Sequence, residues 1–235
     1  LQLDGATYPA FECAKAETWA ERYLCGKDVF GTPPSAAYED AHLARYYHEA
    51  REQGLVSATE QRSWLTQRDQ CKMQIGRNLD DCMTNTYRKR VAELKDRLRP
   101  ATQIKVGDER VYSNLDLPTS AEFRRTSLYQ KLLPALIASA SEYAIVRRTS
   151  SDVTEIRAVS YGGGDHSCDL RGRFRFNQKD GKASAGPPDR DLKVAVPVAE
   201  FFGSSLTVVA PDDAYISVCG ARAHWGAEMR MIEMP

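Results

Sequence analysis

Six cysteines, at positions 13, 25, 71, 82, 168 and 219, are the residues of this chain with the most chemistry to offer. Their thiols could hold a metal, attack a carbonyl carbon, or bond to one another. Structural zinc sites place two cysteines about two to four residues apart, and here none are closer than Cys71 and Cys82. The Cys-x-x-Cys of thiol oxidoreductases is missing as well. His166 stands near Cys168 and His224 near Cys219, so a thiolate with a histidine base or a mixed zinc set is conceivable. The spacings favour neither. An even count without metal spacing points to disulfides, and disulfides to an oxidising compartment. Six thiols allow fifteen full pairings, and spacing alone does not choose among them.

Other catalytic patterns are weaker. Ser160-Tyr-Gly-Gly-Gly164 has neither the nucleophile elbow nor a phosphate-binding Gly-Lys-Ser/Thr. Asp80-Asp81 and Asp212-Asp213 are adjacent carboxylates, which seldom converge on one glycosidic bond. The first pair reads instead as cap and first-turn charge for the helix that follows. The chain is therefore expected to be a non-enzyme with no cofactor and no metal. Lys plus Arg total 32 and Asp plus Glu also total 32, so no net field draws nucleic acid. No apolar run approaches the ~20 residues of a membrane-spanning helix. The opening Leu1-Gln-Leu-Asp-Gly5 lacks the basic start and apolar stretch of a signal peptide, which leaves a processed or trimmed form as the expectation. A lipid anchor in the precursor stays open.

The elements that would carry these residues change character near Pro100. Before it, the pattern is helical. Thr18 and Glu21 form a capping box, as do Ser57 and Glu60, while Ser35 reads as an N-cap. Met83, Tyr87, Val91, Leu94 and Leu98 make one helical stripe stopped by Pro100. Tyr38, Tyr46, Tyr47 and Tyr87 are expected at core edges with their hydroxyls at the surface. After it, a hairpin is expected over Ile104 to Tyr112. A helix near residues 120–141, capped by Thr119 and Glu122 and kinked or split at Pro134, would follow. Short strands separated by turn residues come next: Tyr143–Val146, Val153–Tyr161, Cys168–Phe176, Leu192–Val198, Ser205–Ala210, Tyr215–Cys219 and Met229–Met234. The expected fold class is α+β, with an N-terminal disulfide-braced helical bundle over 1–100. A mainly antiparallel β domain with one capping helix, its short strands spaced for a small barrel or sandwich, would occupy 101–235.

On this layout Cys71 ends one helix and Cys82 opens the next, while Cys13 would tie the entering chain to the end of the first helix at Cys25. We therefore expect the pairing 13–25, 71–82 and 168–219. Each of the two short brackets is worth roughly 3 kcal/mol in the chain-entropy picture.

Phe11, Cys13, Lys15, Thr18, Glu21, Leu24 and Cys25 occur in the order of the opening of the LprI-type lysozyme-inhibitor module, which this stretch resembles. So do Glu60, Gln61, Arg62, Trp64, Leu65, Arg68, Asp69 and Cys71, then Cys82, Tyr87, Arg88, Arg90, Val91, Glu93 and Leu94. The likeness covers roughly residues 9–98. His166-Ser-Cys168-Asp-Leu-x-Gly172 and Cys219-Gly-Ala-Arg-Ala223 look like pieces of an extension behind that module. The resemblance implies a periplasmic or secreted bacterial envelope protein that binds a peptidoglycan hydrolase and blocks it. An immunity protein against a secreted muramidase, amidase or lipase is the alternative, and a non-inhibitory structural or chaperone-like envelope protein a third. Two loops are candidates for entering a target's cleft: Lys72 to Asp81, with Lys72 and Arg77 facing acidic groups, and Tyr161 to Ser167, with Tyr161, Asp165 and His166.

Overall fold

The computed structural model describes residues 9–27, 31–115, 125–161, 166–185, 198–209, 219, 225 and 228–232. The chain divides into two compact units, with the division between Ala101 and Thr102.

The decisive feature of the second unit is that its sheet closes. Strands β1 (Glu109–Ser113), β2 (Glu142–Arg148), β3 (Val153–Tyr161), β4 (Ser167–Asn177), β5 (Lys182–Ala185), β6 (Val198–Phe202), β7 (Ser205–Val209) and β8 (Met229–Ile232) each pair antiparallel with their sequence neighbour. β1 also pairs with β8, Val111 opposite Ile232, so the ring has no edge. This closed eight-stranded antiparallel barrel overturns the expected class of a helical bundle followed by a mainly antiparallel β domain with a capping helix. Closure removes the unpaired backbone groups that an open sheet must protect. Alternate residues of each strand point inward. Tyr112, Val146, Ile156, Leu170, Phe174, Phe176, Phe201 and Met229 fill the interior with other buried residues. Phe201 meets Tyr112 and Phe176 edge to face, with centroids 6.0 and 5.6 Å apart, the arrangement that ring quadrupoles prefer.

Several local expectations change as well. Residues 104–108 form a turn rather than the first arm of a hairpin, with the Asp108 N–H donating to the Lys105 carbonyl. β5 went unread, and β6 begins at Val198, where the sequence pattern placed a strand's end; Leu192 to 197 lie outside the described residues, as does Tyr215 to 218. Helix α5, to use chain order, spans Ser127–Ala138 and is capped by Thr126, whose hydroxyl accepts from the Tyr129 N–H. Thr119, Glu122 and Phe123 lie outside the described residues. The helix runs through Pro134, losing one backbone bond without splitting. It buries Tyr129 and Leu133 and leaves Leu128 and Leu132 exposed.

The first unit holds α1 (Trp19–Leu24), α2 (Ser35–Glu52), α3 (Ala58–Arg68) and α4 (Arg77–Ala101), with 3-10 turns at Cys13–Lys15 and Asp69–Met73. α1 is a single capped turn and a half. Both bonds of the Thr18–Glu21 box are present, whereas at Ser57 only the hydroxyl's bond from the Glu60 N–H is formed. Ser35 is the first helical residue and Pro34 the cap. The α4 stripe of Met83, Tyr87, Val91, Leu94 and Leu98 is wholly buried, and Pro100 falls inside the last turn rather than ahead of the end. Tyr46 and Tyr87 are fully buried, against the expectation of surface hydroxyls. Arg68 Nη1 donates to the Tyr87 hydroxyl at 3.2 Å and Arg45 Nη2 to that of Tyr46 at 3.2 Å. No helix among the described residues is long and apolar enough to cross a membrane.

One buried cation serves the barrel. The Arg148 guanidinium donates to the carbonyls of Ile104 (3.0 Å), Ser150 (3.1 Å) and Ser151, and to Gln178 Oε1 (3.1 Å), while it lies over the Phe176 ring. Gln178 in turn donates to the Thr102 carbonyl. Arg148→Met would fill similar space and leave these acceptors without donors. A loss of roughly 2–4 kcal/mol in urea unfolding of the chain is expected; an unchanged midpoint would show the bonds to be dispensable.

Candidate functional site

All six cysteines are bonded to one another: Cys13–Cys25, Cys71–Cys82 and Cys168–Cys219. Neither a thiolate nucleophile nor a cysteine zinc set is therefore formed. Cys13 lies in a 3-10 turn and Cys25 caps the end of α1. Cys219 forms an isolated bridge with Cys168 of β4.

The second disulfide builds a protrusion. Cys71 sits in the 3-10 turn Asp69–Met73, and Cys82 lies inside α4 rather than at its start. Between them the chain leaves the 3-10 turn, reverses at Gly76 (φ +57°) and enters α4 at Arg77. That left-handed backbone is what calls for glycine, since no atom lies close enough to demand it for space. The Gln74 N–H donates to the Cys71 carbonyl at 2.9 Å and the Leu79 N–H to the Gly76 carbonyl at 3.1 Å. The helix end is further fixed by Asp80, whose Oδ1 accepts from the Tyr23 hydroxyl at 2.5 Å. Burial, and after it that bond, pushes the tyrosine's pKa up.

Met73 is 85% exposed and Ile75 84% exposed at the tip of this braced turn. Two large apolar side chains so fully in solvent, side by side in one rigid turn, form a surface that gains by being covered. Lys72 and Arg77, both exposed, stand on either side. Charge marks these two cations in the sequence, whereas Met73 and Ile75 become candidates only through their exposure. Their signal was present, as apolar residues flanking Gln74 in a loop otherwise polar.

The other candidate loop belongs to the barrel unit. Tyr161, at the end of β3, is 52% exposed and pairs with Ser167 of β4. His166 is half-buried, and Asp165 lies outside the described residues. His224 does too. Among the described residues no group of three or more histidine, cysteine or acidic side chains is placed to hold a metal.

The residues that carried the family resemblance meet one another. Trp64 stacks edge to face on Tyr87, with centroids 5.2 Å apart. Arg90, 3% exposed, donates through Nη1 to Glu60 Oε1 (3.0 Å) and Glu93 Oε2 (3.2 Å), and through Nη2 to Gln61 Oε1 (3.3 Å). Arg97 grips the same Glu60 through both terminal nitrogens, at 2.9 and 2.8 Å. Asp40 accepts from the Ala10 N–H at 3.0 Å, yet its burial leaves its pKa raised. No protein-family model, curated protein or solved structure matches this chain, so the likeness to the LprI-type module stands on the quoted residues alone.

The hydrogen bonds from Arg97, then those from Arg90, hold the Glu60 carboxyl below its ordinary pKa of 4.5. A group depressed in the folded state stabilises fully above its ordinary value and stops doing so as pH falls through the folded one. Glu60→Gln should therefore lower Tm at neutral pH, and the gap to wild type should narrow as the solution is acidified below pH 4.5. A gap independent of pH would contradict this.

Proposed function

We propose that this chain is a binding protein of an oxidising, extracytoplasmic compartment that blocks a cell-wall- or envelope-attacking enzyme by seating the Lys72–Arg77 turn in that enzyme's cleft. The observation that carries the reading is the pair Met73 and Ile75, presented to solvent on a turn closed by a disulfide. Blocking a cleft asks for no chemistry from the blocker. It asks for an element that loses little entropy on docking and has apolar area to bury there. The bridge supplies the first and the two side chains the second. Lys72 and Arg77 give the flanks the sign that suits an acidic cleft, such as one lined by the paired carboxylates of a glycosidase. Three disulfides support the compartment. The LprI-type resemblance supports a peptidoglycan hydrolase as the class of target.

The test is inhibition of a panel of muramidases and amidases by the intact chain, beside the Met73→Ser/Ile75→Ser double variant. Removing two apolar anchors, each worth about 1.5–3 kcal/mol when buried, should weaken inhibition at least about tenfold with Tm unchanged. Inhibition untouched by the double substitution, or no inhibited member in the panel, would reject this use of the turn.

A further inference from the structure

The helical unit also contains a cleft that the docking turn does not use. It runs between α3 and α4 and has a volume of about 460 Å³, inside the range of small-ligand sites, roughly 300–1,000 Å³. Its walls are one face of each helix. Glu60, Ser63, Trp64 and Gln67 come from α3, at steps of three, one and three. Thr86, Lys89, Arg90, Glu93 and Arg97 come from α4, at steps of three, one, three and four. Both runs follow helical spacing, so the two faces look at each other across the cleft.

The lining has a fixed part and an uncommitted part. Glu60, Arg90, Glu93 and Arg97 hold one another through the bonds given above, so their donors and acceptors stand in set positions. Arg90 Nε is buried without a hydrogen-bond partner among the described residues, a further sign that the network is not closed on itself. Ser63, Gln67 and Lys89 are exposed, and their side chains have no hydrogen-bond or ion-pair partner among the described residues. Lys89, Arg90 and Arg97 against Glu60 and Glu93 leave one positive charge in excess, and Lys89 is the cation of the cleft with no counter-ion among the described residues.

We infer that this cleft binds an acidic saccharide, its hydroxyls meeting the alternating carboxylates and guanidinium groups and its carboxylate meeting Lys89. A sugar hydroxyl both donates and accepts, so adjacent hydroxyls fit a floor where acceptors and donors alternate. An apolar ligand would have to strip water from five charges. A bare cation would meet three positive groups, and an ionised phosphate, which lacks the sugar's hydroxyl donors, would offer the two carboxylates nothing to accept. The Trp64 ring supplies the apolar part of the wall. This site is independent of the Met73–Ile75 turn, and either can fail without the other.

Two matched pairs test it by amide NMR titration of the full chain: glucuronic acid against glucose, and N-acetylmuramic acid against N-acetylglucosamine. Shifts centred on Ser63, Gln67, Lys89 and Glu93 are expected. Each acid should bind about three- to fivefold tighter than its neutral partner, the range of an exposed ion pair. Which acid binds better tells a uronic from a muramic source. Lys89→Gln should erase the preference for the acid while Tm and neutral-sugar binding stay as they were, and Gln67→Ala should weaken both members of each pair. No shifts at millimolar sugar, shifts centred elsewhere, or equal binding of acid and neutral forms would each overturn the inference.

Discussion

Covalent links between sulfurs are the constraint on which both units rest. Two of them join a 3-10 turn to a helix, and the third joins Cys219 to a strand of the barrel. Cys13, in a short 3-10 turn, is fastened to the end of α1. Cys71, in another 3-10 turn, is fastened to α4. Cys219, in an isolated bridge, is fastened to the long strand β4. A turn of three to five residues gains little from its own backbone bonds against the entropy of ordering it, and a bond to a neighbouring element removes unfolded alternatives instead. The exposed turn proposed to dock depends on this arrangement most directly, since its apolar side chains make no packing that would hold it.

Polar groups buried inside the two units are handled by a second device, in which one planar cation serves several acceptors. Arg148 gathers three backbone carbonyls and an amide oxygen in the barrel, and Arg90 gathers two carboxylates and an amide oxygen between helices. Arginine suits both places because its donors are fixed in one plane and it keeps its charge when buried. Leaving such acceptors unmatched would cost more than the bonds themselves return.

Features set by short-range spacing were readable from the sequence. The α4 stripe follows from residues three and four apart, and the Thr18 cap from a hydroxyl and a glutamate three positions on. The two short cysteine brackets could be assigned from expected helix ends, and Cys168–Cys219 as the pair that remained. Strand spacing allowed a barrel or a sandwich, but the pair that closes the ring could not be read, because it depends on Val111 finding Ile232, and nothing in either stretch names the other. β5, with Lys-Ala-Ser-Ala, has no β-branched or aromatic residue to mark it. At the candidate sites the limit was different. Lys72 and Arg77 stand out as charges, whereas Met73 and Ile75 read as ordinary packing until their exposure is known. Glu60, Arg90, Glu93 and Arg97 look like a solvated helix face, and only the approach of α3 to α4 turns them into a cleft.

The longest of the three loops closed by sulfur has a consequence for durability against peptidases. Cys168 and Cys219 stand 51 residues apart in sequence, and β5, β6 and β7 lie wholly between them. A single cut in any connection of that stretch would leave both fragments tethered, with every strand still in reach of its partners in the ring. Nicking there would be visible on a gel only after reduction.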